Sequence, residues 1–187
     1  MLIVSFDGFR SEYLDWYPTP NMDQFAQKGI KSEGLIPVFV SKTFPNHYSI
    51  ATGLYAENHG LIGNHFYDPK LDDHYTLSDR SKVEDPKFYE GEPIWVTAEN
   101  QGINTASYFW VGTEAPIKNT YPGKWKAYEH GFPFESRIDS VVSWLSLPEK
   151  ERPKLCMLYF HEPDATGHDT GPKSTETGLI VSKMDKK

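Results

Sequence analysis

The run Leu155-Cys-Met-Leu-Tyr-Phe160 decides the fold class, because six consecutive apolar residues predict a β-strand of the core. A run of this length is far below the roughly 18 residues that span a bilayer. A similar but shorter apolar run predicts a buried strand at Leu2–Phe6, and Asn104–Trp110 is also strand-like. Ser32–Val40 is a further strand candidate, although Pro37 interrupts it.

Helical patterns lie between these strands. Apolar spacing, Pro starts and Gly stops predict helices from Thr19 to Gly29, Pro45 to Thr52, Pro93 to Gln101, Phe134 to Leu147 and Ser174 to Lys187. The stretch 161–172 is predicted to be a loop. Strands that alternate with helices predict an α/β domain with a mostly parallel sheet flanked by helices. Ligands of such sheets bind at the carboxyl ends of the strands.

Length and composition predict one globular domain. The chain has 187 residues, and the polar stretch 67–92 is predicted to be a surface excursion. The last predicted helix has no stop signal before Lys187, so we expect residues 1–187 to be the N-terminal portion of a single domain, truncated at its C-terminus. Cys156 is the only cysteine, so no internal disulfide is expected.

Charge and hydropathy exclude two kinds of partner. The net charge is −7 and there is no run of five or more basic residues, so we expect no binding to a nucleic-acid duplex. We expect no transmembrane segment. No basic and then apolar segment opens the chain, so an export signal is not visible in it. If later strands are missing, the exposed core surface is expected to promote self-association.

Five polar residues stand at predicted strand ends, turns, loops or helix starts. Asp7 directly follows the first strand, and Thr43 precedes a predicted helix. Asp164 and His168 are four residues apart, and Asn64 lies in a Gly-Asn turn. Three of them also have a purely structural explanation. Asp7 is typical of a turn residue, Thr43 of a helix N-cap, and Asn64 of a left-handed turn residue.

The same residues are also suited to chemistry on a phosphate. Carboxylate and imidazole groups are the ligands of zinc and similar ions. A helix N-terminus and a coordinated divalent ion both stabilise an alkoxide, which would activate the Thr43 hydroxyl as a nucleophile. The Asn64 amide has the donors to hold a phosphoryl oxygen.

Taken together, the motifs resemble the nucleotide pyrophosphatase/phosphodiesterase family of the alkaline-phosphatase superfamily. The resemblance rests on Ile3-Val-Ser-Phe-Asp-Gly-Phe-Arg10, Lys42-Thr-Phe-Pro-Asn-His-Tyr48, Thr52-Gly-Leu-Tyr55 with Glu57-Asn-His-Gly60, Phe109-Trp-Val-Gly-Thr-Glu-Ala115 and Glu162-Pro-Asp-x-x-x-His168. It covers residues 2 to about 187. Val111 departs from the pattern, because proline is commoner there.

The resemblance implies an alkaline-phosphatase-like fold and a phosphodiesterase with two divalent metal ions, most simply Zn²⁺. It places Asp7 and Thr43 at one ion and Asp164 and His168 at the other, with Thr43 as the nucleophile and a phosphothreonine intermediate. The remaining ligands are expected beyond residue 187, so residues 1–187 alone are expected to be inactive.

The resemblance also assigns the substrate. Asn64 would hold a phosphoryl oxygen, and Phe44 and Tyr159 would stack on the base of a nucleotide-type phosphodiester or phosphoanhydride. Core packing is an equally good explanation for Tyr159, which ends an apolar strand. Relatives in the family cleave choline phospholipids. Export to the periplasm or the extracellular space is expected for the parent protein.

Three other functions are alternatives to a phosphodiesterase. A sulfatase needs a Cys or Ser for its formylglycine, whereas Thr43 stands at the nucleophile position and Cys156 is in mid-strand. A phosphomonoesterase needs a positive side chain for the extra phosphate charge, and Lys42 is adjacent. A non-catalytic α/β binding module would use the same sheet edge for a ligand or a partner.

Overall fold

The computed structural model describes residues 1–187 as six strands, nine α-helices and two short 3₁₀ turns. The strands are β1 (Leu2–Phe6), β2 (His65–Asp68), β3 (Asp73–Thr76), β4 (Thr105–Tyr108), β5 (Lys124–Lys126) and β6 (Leu155–Phe160). The helices are α1 (Tyr13–Trp16), α2 (Pro20–Gln27), α3 (Thr43–Thr52), α4 (Ala56–His59), α5 (Arg80–Val83), α6 (Ile94–Asn100), α7 (Phe134–Leu145), α8 (Asp164–Thr170) and α9 (Thr175–Asp185). The 3₁₀ turns are Pro86–Phe88 and Ile117–Asn119.

The main sheet has four parallel strands in the order β1-β6-β4-β5. Strand β4 pairs in parallel with β6, Thr105 opposite Leu155, and also with β5. Two hydrogen bonds give the direction of β1 along β6: Cys156 N–H donates to the carbonyl of Met1, and Asp7 N–H donates to the carbonyl of Phe160. The carboxyl ends of β1 and β6 are therefore at the same edge of the sheet. Every residue of β6 is buried, as expected for a central strand of a parallel sheet.

The chain divides into two compact units. The first unit comprises Met1–Ile3, Pro37–Glu129 and Asp139–Leu158, and the second comprises Val4–Ile36, His130–Ile138 and Tyr159–Lys187. The prediction that residues 1–187 form part of one catalytic domain stays a prediction.

An aromatic core holds the first unit together. The hairpin β2–β3 places Phe66 and Tyr75 in a stacked pair with ring centroids 5.1 Å apart. Phe88 and Tyr89 pack edge-on against Tyr75, and Tyr48 of α3 packs edge-on against Tyr89. The polar stretch 67–92, predicted to be a surface excursion, therefore contributes four buried side chains: Tyr75, Val83, Phe88 and Tyr89.

In the second unit, the C-terminal helix α9 organises its neighbours. The buried Asp185 carboxylate accepts hydrogen bonds from the backbone N–H groups of Asn21 and Met22, at the start of α2. Gly178 is needed on α9, because a Cβ there would lie 2.6 Å from a ring carbon of Tyr17. The Ser174 hydroxyl caps α9 by accepting from the N–H of Thr177.

Most predicted elements are confirmed, and the α/β fold with them. Strands β1 and β6 have the predicted bounds, and α3 ends at Thr52 with Gly53, which has a φ of +70°, as its C-cap. The strand predicted at Ser32–Val40 is wrong, because the segment forms no ladder and Pro37 has no N–H to donate to one. The short strand β5 was missed.

The loop predicted for 161–172 is also wrong, because Asp164–Thr170 forms helix α8. Strand β1 differs from the expected buried strand as well. It lies at the edge of the sheet, with Leu2 49% and Val4 41% exposed. Cys156 is fully buried, and burial raises the pKa of its thiol to about 11, as expected of a small core residue. None of the helices is both long and apolar enough to cross a bilayer.

Candidate active site

In the first unit, the predicted nucleophile stands at the start of a ten-residue helix. Thr43 is the first residue of α3, and its side chain is half-buried. The N–H groups of a first helical turn have no partner within the helix and carry partial positive charge. One of them, the N–H of Phe44, donates to Asn64 Oδ1 at 3.1 Å. We call Thr43, Phe44 and Asn64 the threonine site.

The Phe44–Asn64 hydrogen bond orients the Asn64 side chain. Because Oδ1 accepts from a backbone N–H, the amide nitrogen of Asn64, on the other side of Cγ, keeps its two N–H donors for another partner. The Phe44 ring is half-buried and contacts Tyr75 with centroids 6.1 Å apart. The threonine site thus combines a hydroxyl, an amide donor and a partly exposed ring.

Two buried side chains hold α3 in place. The Nδ1–H of His47 donates to the carbonyl of Thr43 at 2.7 Å, one turn earlier. The indole N–H of Trp110 donates to the carbonyl of His47 at 3.2 Å, and the two rings meet edge-on. Trp110 follows Phe109, whose φ of +66° turns the chain sharply after β4. The residues after β4 therefore support the helix that carries Thr43.

A buried hydroxyl–imidazole pair also lies in the first unit, and the tautomer of its histidine excludes it as a nucleophile–base pair. Ser49 Oγ and His59 Nε2 are 2.8 Å apart, and both side chains are buried. The N–H of Leu61 donates to His59 Nδ1, so the imidazole proton is on Nε2 and donates to Ser49. A histidine that donates to the serine cannot act as its base. Burial lowers the pKa of His59 and keeps it neutral.

In the second unit, two predicted metal ligands come close together through their backbones. Asp7 is half-buried, and its carbonyl accepts from the N–H of Asp164 at 3.0 Å. Gly8 between them has a φ of +66°, and a Cβ there would lie 2.8 Å from Cα and Cβ of Asp164. Only glycine permits this approach without displacing Asp164. We call Asp7, Asp164 and His168 the carboxylate cluster.

Helix α8 places the other two members of the cluster one turn apart. His168 Nε2 and Asp164 Oδ1 are separated by 3.5 Å, and the His168 side chain is 74% exposed. Glu162, two residues before the helix, stabilises its first turn, because the Glu162 carboxylate accepts from both the backbone N–H and the hydroxyl of Thr166. The Asp-x-x-x-His spacing is therefore a helical one, with both side chains on one face.

Tyr159 lies within the same unit but is not exposed to a ligand. Its side chain is 6% exposed, and its hydroxyl donates to Asp7 Oδ2 at 2.8 Å. Its carbonyl accepts from Nη1 of Arg137, a guanidinium that is fully buried and also donates to the carbonyls of Phe132 and His130. The core-packing explanation of Tyr159 fits this burial better than stacking on a base does.

His161 adds an unusual electrostatic feature after β6. Its ring stacks on that of His130 with centroids 4.1 Å apart, and its Nδ1 is buried without a hydrogen-bond partner. Burial lowers the pKa of His161 to about 4, and electrostatic interactions with His130 and Arg137 contribute to this shift. His161 is therefore neutral near pH 7.

The donor chemistry of the carboxylate cluster fits part of a metal site. Asp164 and His168 offer an oxygen and a nitrogen that converge to 3.5 Å, which are zinc-type ligands. No group of three or more His, Cys, Asp or Glu side chains is arranged to hold a metal ion. A zinc site with three protein ligands therefore needs donors besides these.

Known proteins have sequences similar to the one in which these motifs lie. The family model for type I phosphodiesterase/nucleotide pyrophosphatase matches residues 1–187. The chain belongs to this family. Human ectonucleotide pyrophosphatase/phosphodiesterase family member 1 is 44% identical over 98% of the chain, and so is a venom phosphodiesterase of Naja atra.

A solved family structure has the same fold. Murine ectonucleotide pyrophosphatase/phosphodiesterase 5, as an inactive threonine-to-alanine variant in complex with AMP, matches the whole chain with a TM-score of 0.94 and 37% identity. The chain covers 49% of that structure. It spans about a fifth of the length of the curated relatives, 20% for the human protein and 22% for the venom protein.

Sequence reasoning found the polar groups of both sites but missed residues that position them. The structure brings Phe44 and Asn64 together with Thr43 in the first unit, and Asp7, Tyr159 and Asp164 with His168 in the second. The roles given to these residues stay predictions. Gly8 and Glu162 were missed as positioning residues, although Asp-Gly after a strand and Glu before Pro were visible signals.

Proposed function

We propose that the protein to which residues 1–187 belong is a metal-dependent phosphodiesterase/nucleotide pyrophosphatase with Thr43 as its nucleophile. The observation that carries this proposal is the family match over the whole chain, with the threonine of the family-like motif at the N-terminus of α3. The inactive threonine-to-alanine variant of the murine relative supports a threonine with this role.

The proposed reaction has two displacements at phosphorus. The Thr43 oxygen loses its proton and forms a bond to phosphorus, while the bond to the leaving oxygen breaks and its electron pair stays with that oxygen. Water then displaces the Thr43 oxygen from the phosphothreonine, and threonine regains a proton. Two inversions give net retention, so a chiral phosphorothioate substrate is expected to give retained configuration. A single inversion would exclude the covalent intermediate.

The residues of the threonine site have distinct proposed tasks. The start of α3 stabilises negative charge on the Thr43 oxygen. The amide donors of Asn64, which Phe44 N–H orients, hold a non-bridging phosphoryl oxygen. The half-buried Phe44 ring stacks on the base of a nucleotide substrate. Tyr159 was given the same stacking task from the sequence, and its burial makes it the weaker of the two.

We propose that Asp7, Thr43, Asp164 and His168 act as ligands of two divalent ions, Zn²⁺ by their donor chemistry. Bound metal supplies positive charge to the phosphate oxygens and lowers the pKa of a coordinated hydroxyl. Each zinc needs about three protein ligands, so the set is proposed to be completed by residues outside 1–187. For the same reason, residues 1–187 alone are proposed to turn over little substrate.

The decisive experiment replaces Thr43 in the full-length gene product. Thr43→Ala is expected to lose nearly all turnover of a p-nitrophenyl nucleotide ester while its zinc content, measured by elemental analysis, falls little because the other ligands remain. Thr52→Ala, at the other end of α3, is the control and is expected to keep turnover. Near-normal turnover in Thr43→Ala would overturn the nucleophile assignment.

Substrate class is tested by a direct comparison. We propose a nucleotide-type diester or phosphoanhydride as substrate, because the Phe44 ring is available for stacking. The alternative is a choline phosphodiester. The ratio of kcat/KM for a p-nitrophenyl nucleotide ester and for p-nitrophenylphosphorylcholine is expected to favour the nucleotide at least tenfold. Tenfold corresponds to about 1.4 kcal/mol, within what one stacked base supplies. A ratio that favours choline would support the alternative.

Two further properties are proposed from the relatives and the sheet edge. The relatives are named as ectoenzymes and venom enzymes, so we propose an extracellular or periplasmic location. Residues 1–187 in isolation are proposed to self-associate through β1, whose Leu2 and Val4 side chains are exposed. Sedimentation velocity is expected to show a mass above that of the monomer.

A further inference from the structure

We propose that Tyr159 is a positioning residue that orients the Asp7 carboxylate for metal binding. The inference rests on the proposed function, because it takes Asp7 as a metal ligand. It starts from one contact: the Tyr159 hydroxyl donates to Asp7 Oδ2 at 2.8 Å.

The phenol is held rigidly enough for such a role. Its ring is 6% exposed, and Tyr159 is the last but one residue of the fully buried strand β6. The carbonyl of Tyr159 accepts from the buried Arg137 guanidinium at 3.2 Å, and the ring of the next residue, Phe160, stacks on Phe6 with centroids 5.3 Å apart. Backbone and side chain of Tyr159 are therefore both restrained, and its hydroxyl is directed at Asp7 Oδ2.

The acceptor is restrained from the backbone side as well. Asp7 N–H donates to the carbonyl of Phe160, and the carbonyl of Asp7 accepts from Asp164 N–H. These bonds fix the backbone of Asp7, so the remaining freedom of the residue is rotation of its side chain about the Cα–Cβ and Cβ–Cγ bonds. The Tyr159 hydroxyl restricts that rotation by binding Oδ2, which decides how the carboxylate presents itself to a cation.

This role predicts an effect on metal affinity. Partners that orient a metal ligand typically contribute 10- to 100-fold to affinity. A ring that served only to fill the core would affect folding and leave zinc affinity unchanged. A ring that stacked on the base would affect KM and leave zinc affinity unchanged.

The test compares two Tyr→Phe variants in the full-length gene product. Tyr159→Phe removes the hydroxyl that faces Asp7, and Tyr67→Phe removes an equivalent hydroxyl that donates to Asp72 at 2.7 Å on the hairpin. Zinc affinity is measured by competition with a chromogenic chelator, at a temperature at which circular dichroism shows all variants folded. We expect zinc to bind at least tenfold more weakly to Tyr159→Phe and within twofold of wild type to Tyr67→Phe.

A double-mutant cycle separates positioning from a general loss of structure. In an Asp7→Asn background, Tyr159→Phe is expected to change zinc affinity less than twofold, because the carboxylate that it orients is gone. Wild-type affinity in Tyr159→Phe, or a full effect in the Asp7→Asn background, would overturn the positioning role while the proposed function stood. If the wild-type protein bound no zinc and had no diesterase activity, the proposed function would fail and the inference with it.

Discussion

At the scale of single residues, Gly8 shows how a backbone position creates a site. Two acidic residues far apart in sequence, Asp7 and Asp164, meet because the residue between their backbones has no side chain. A positive φ and a close approach both require glycine there. The Asp-Gly pair after β1 is thus as much a part of the carboxylate cluster as its charged members.

Replacing Gly8 by alanine should destabilise the protein through two effects. The left-handed φ costs about 1–2 kcal/mol for a residue with a Cβ, and the contact with Asp164 adds strain. Gly53→Ala is the matched control, because Gly53 has a φ of +70° and nothing within 4 Å of its Cβ position. Urea unfolding should show a larger loss of stability for Gly8→Ala. Equal losses would mean that the contact with Asp164 has no energetic weight.

His59 makes stability depend on pH in a defined direction. Burial lowers its pKa below the ordinary value of 6.5, so the folded state keeps it neutral while the unfolded state takes up a proton below that pH. The stabilisation is complete above about pH 6.5 and is lost as the pH falls, by at most about 1.4 kcal/mol per pH unit.

The measurement is the unfolding free energy from pH 7.5 down to pH 5. His59→Gln, which does not titrate, should be less stable at pH 7.5 and should show a shallower slope below pH 6.5. The control is His74→Gln on the hairpin, where the side chain is exposed and the slope should stay that of wild type. A wild-type slope in His59→Gln would rule out this histidine as a source of acid sensitivity.

At the scale of elements, the ends of helices are completed by residues distant in sequence. The Asp185 carboxylate of α9 caps α2 by accepting two backbone N–H bonds, and it also accepts from the amide of Asn21. Helix α2 has no buried side chains of its own, so this cap is a main tie between the two helices. Charged acceptors make the stronger hydrogen bonds.

Asp185→Ala should therefore lower the unfolding free energy by about 2–3 kcal/mol, since it leaves N–H donors at the start of α2 unpaired. Asp79 is the control, because its carboxylate caps the short helix α5 from within the same segment. Asp79→Ala should cost about 1 kcal/mol or less. Chemical denaturation compares the two variants, and a similar small loss for both would argue against the long-range cap.

The elements also show what the sequence alone could predict. Apolar runs located β1 and β6, and Pro and Gly signals located α2, α3 and α6, because these signals are local. Helix α8 was missed because Pro163, Gly167 and Gly171 are typical of a loop, whereas Glu162 starts the helix through a side-chain bond to Thr166. Strand β5 was missed because only pairing with β4 makes its three residues a strand.

The residues of the two sites likewise fall into those with a local sequence signal and those without one. Residue types at strand ends and helix starts indicated Asp7, Thr43 and the Asp164/His168 pair. The Tyr159–Asp7 hydrogen bond was beyond sequence reasoning, because it joins residues that are 152 positions apart. The buried Arg137 was missed for a related reason: its partners are backbone carbonyls, which carry no sequence signal.

At the scale of the whole molecule, binding of metal should stabilise the folded state against unfolding. If the carboxylate cluster binds zinc as proposed, free zinc at 100 times its Kd raises the unfolding free energy of the full-length gene product by about 2.7 kcal/mol. Chelation should therefore lower Tm, and zinc should restore it. Magnesium at the same concentration is the control and should restore less, since imidazole is a poor ligand for it. A Tm unaffected by chelation would contradict a bound metal.

The geometry of helix α8 limits where residues can be inserted in the segment 162–171. Successive residues of an α-helix are rotated by about 100°, so one residue inserted between Asp164 and His168 would turn the imidazole away from the carboxylate. Insertions before Glu162 or after Gly171 leave the helical phase untouched. Variation among homologous chains should therefore accumulate on either side of this single turn, while the three positions inside it change in identity but never in number.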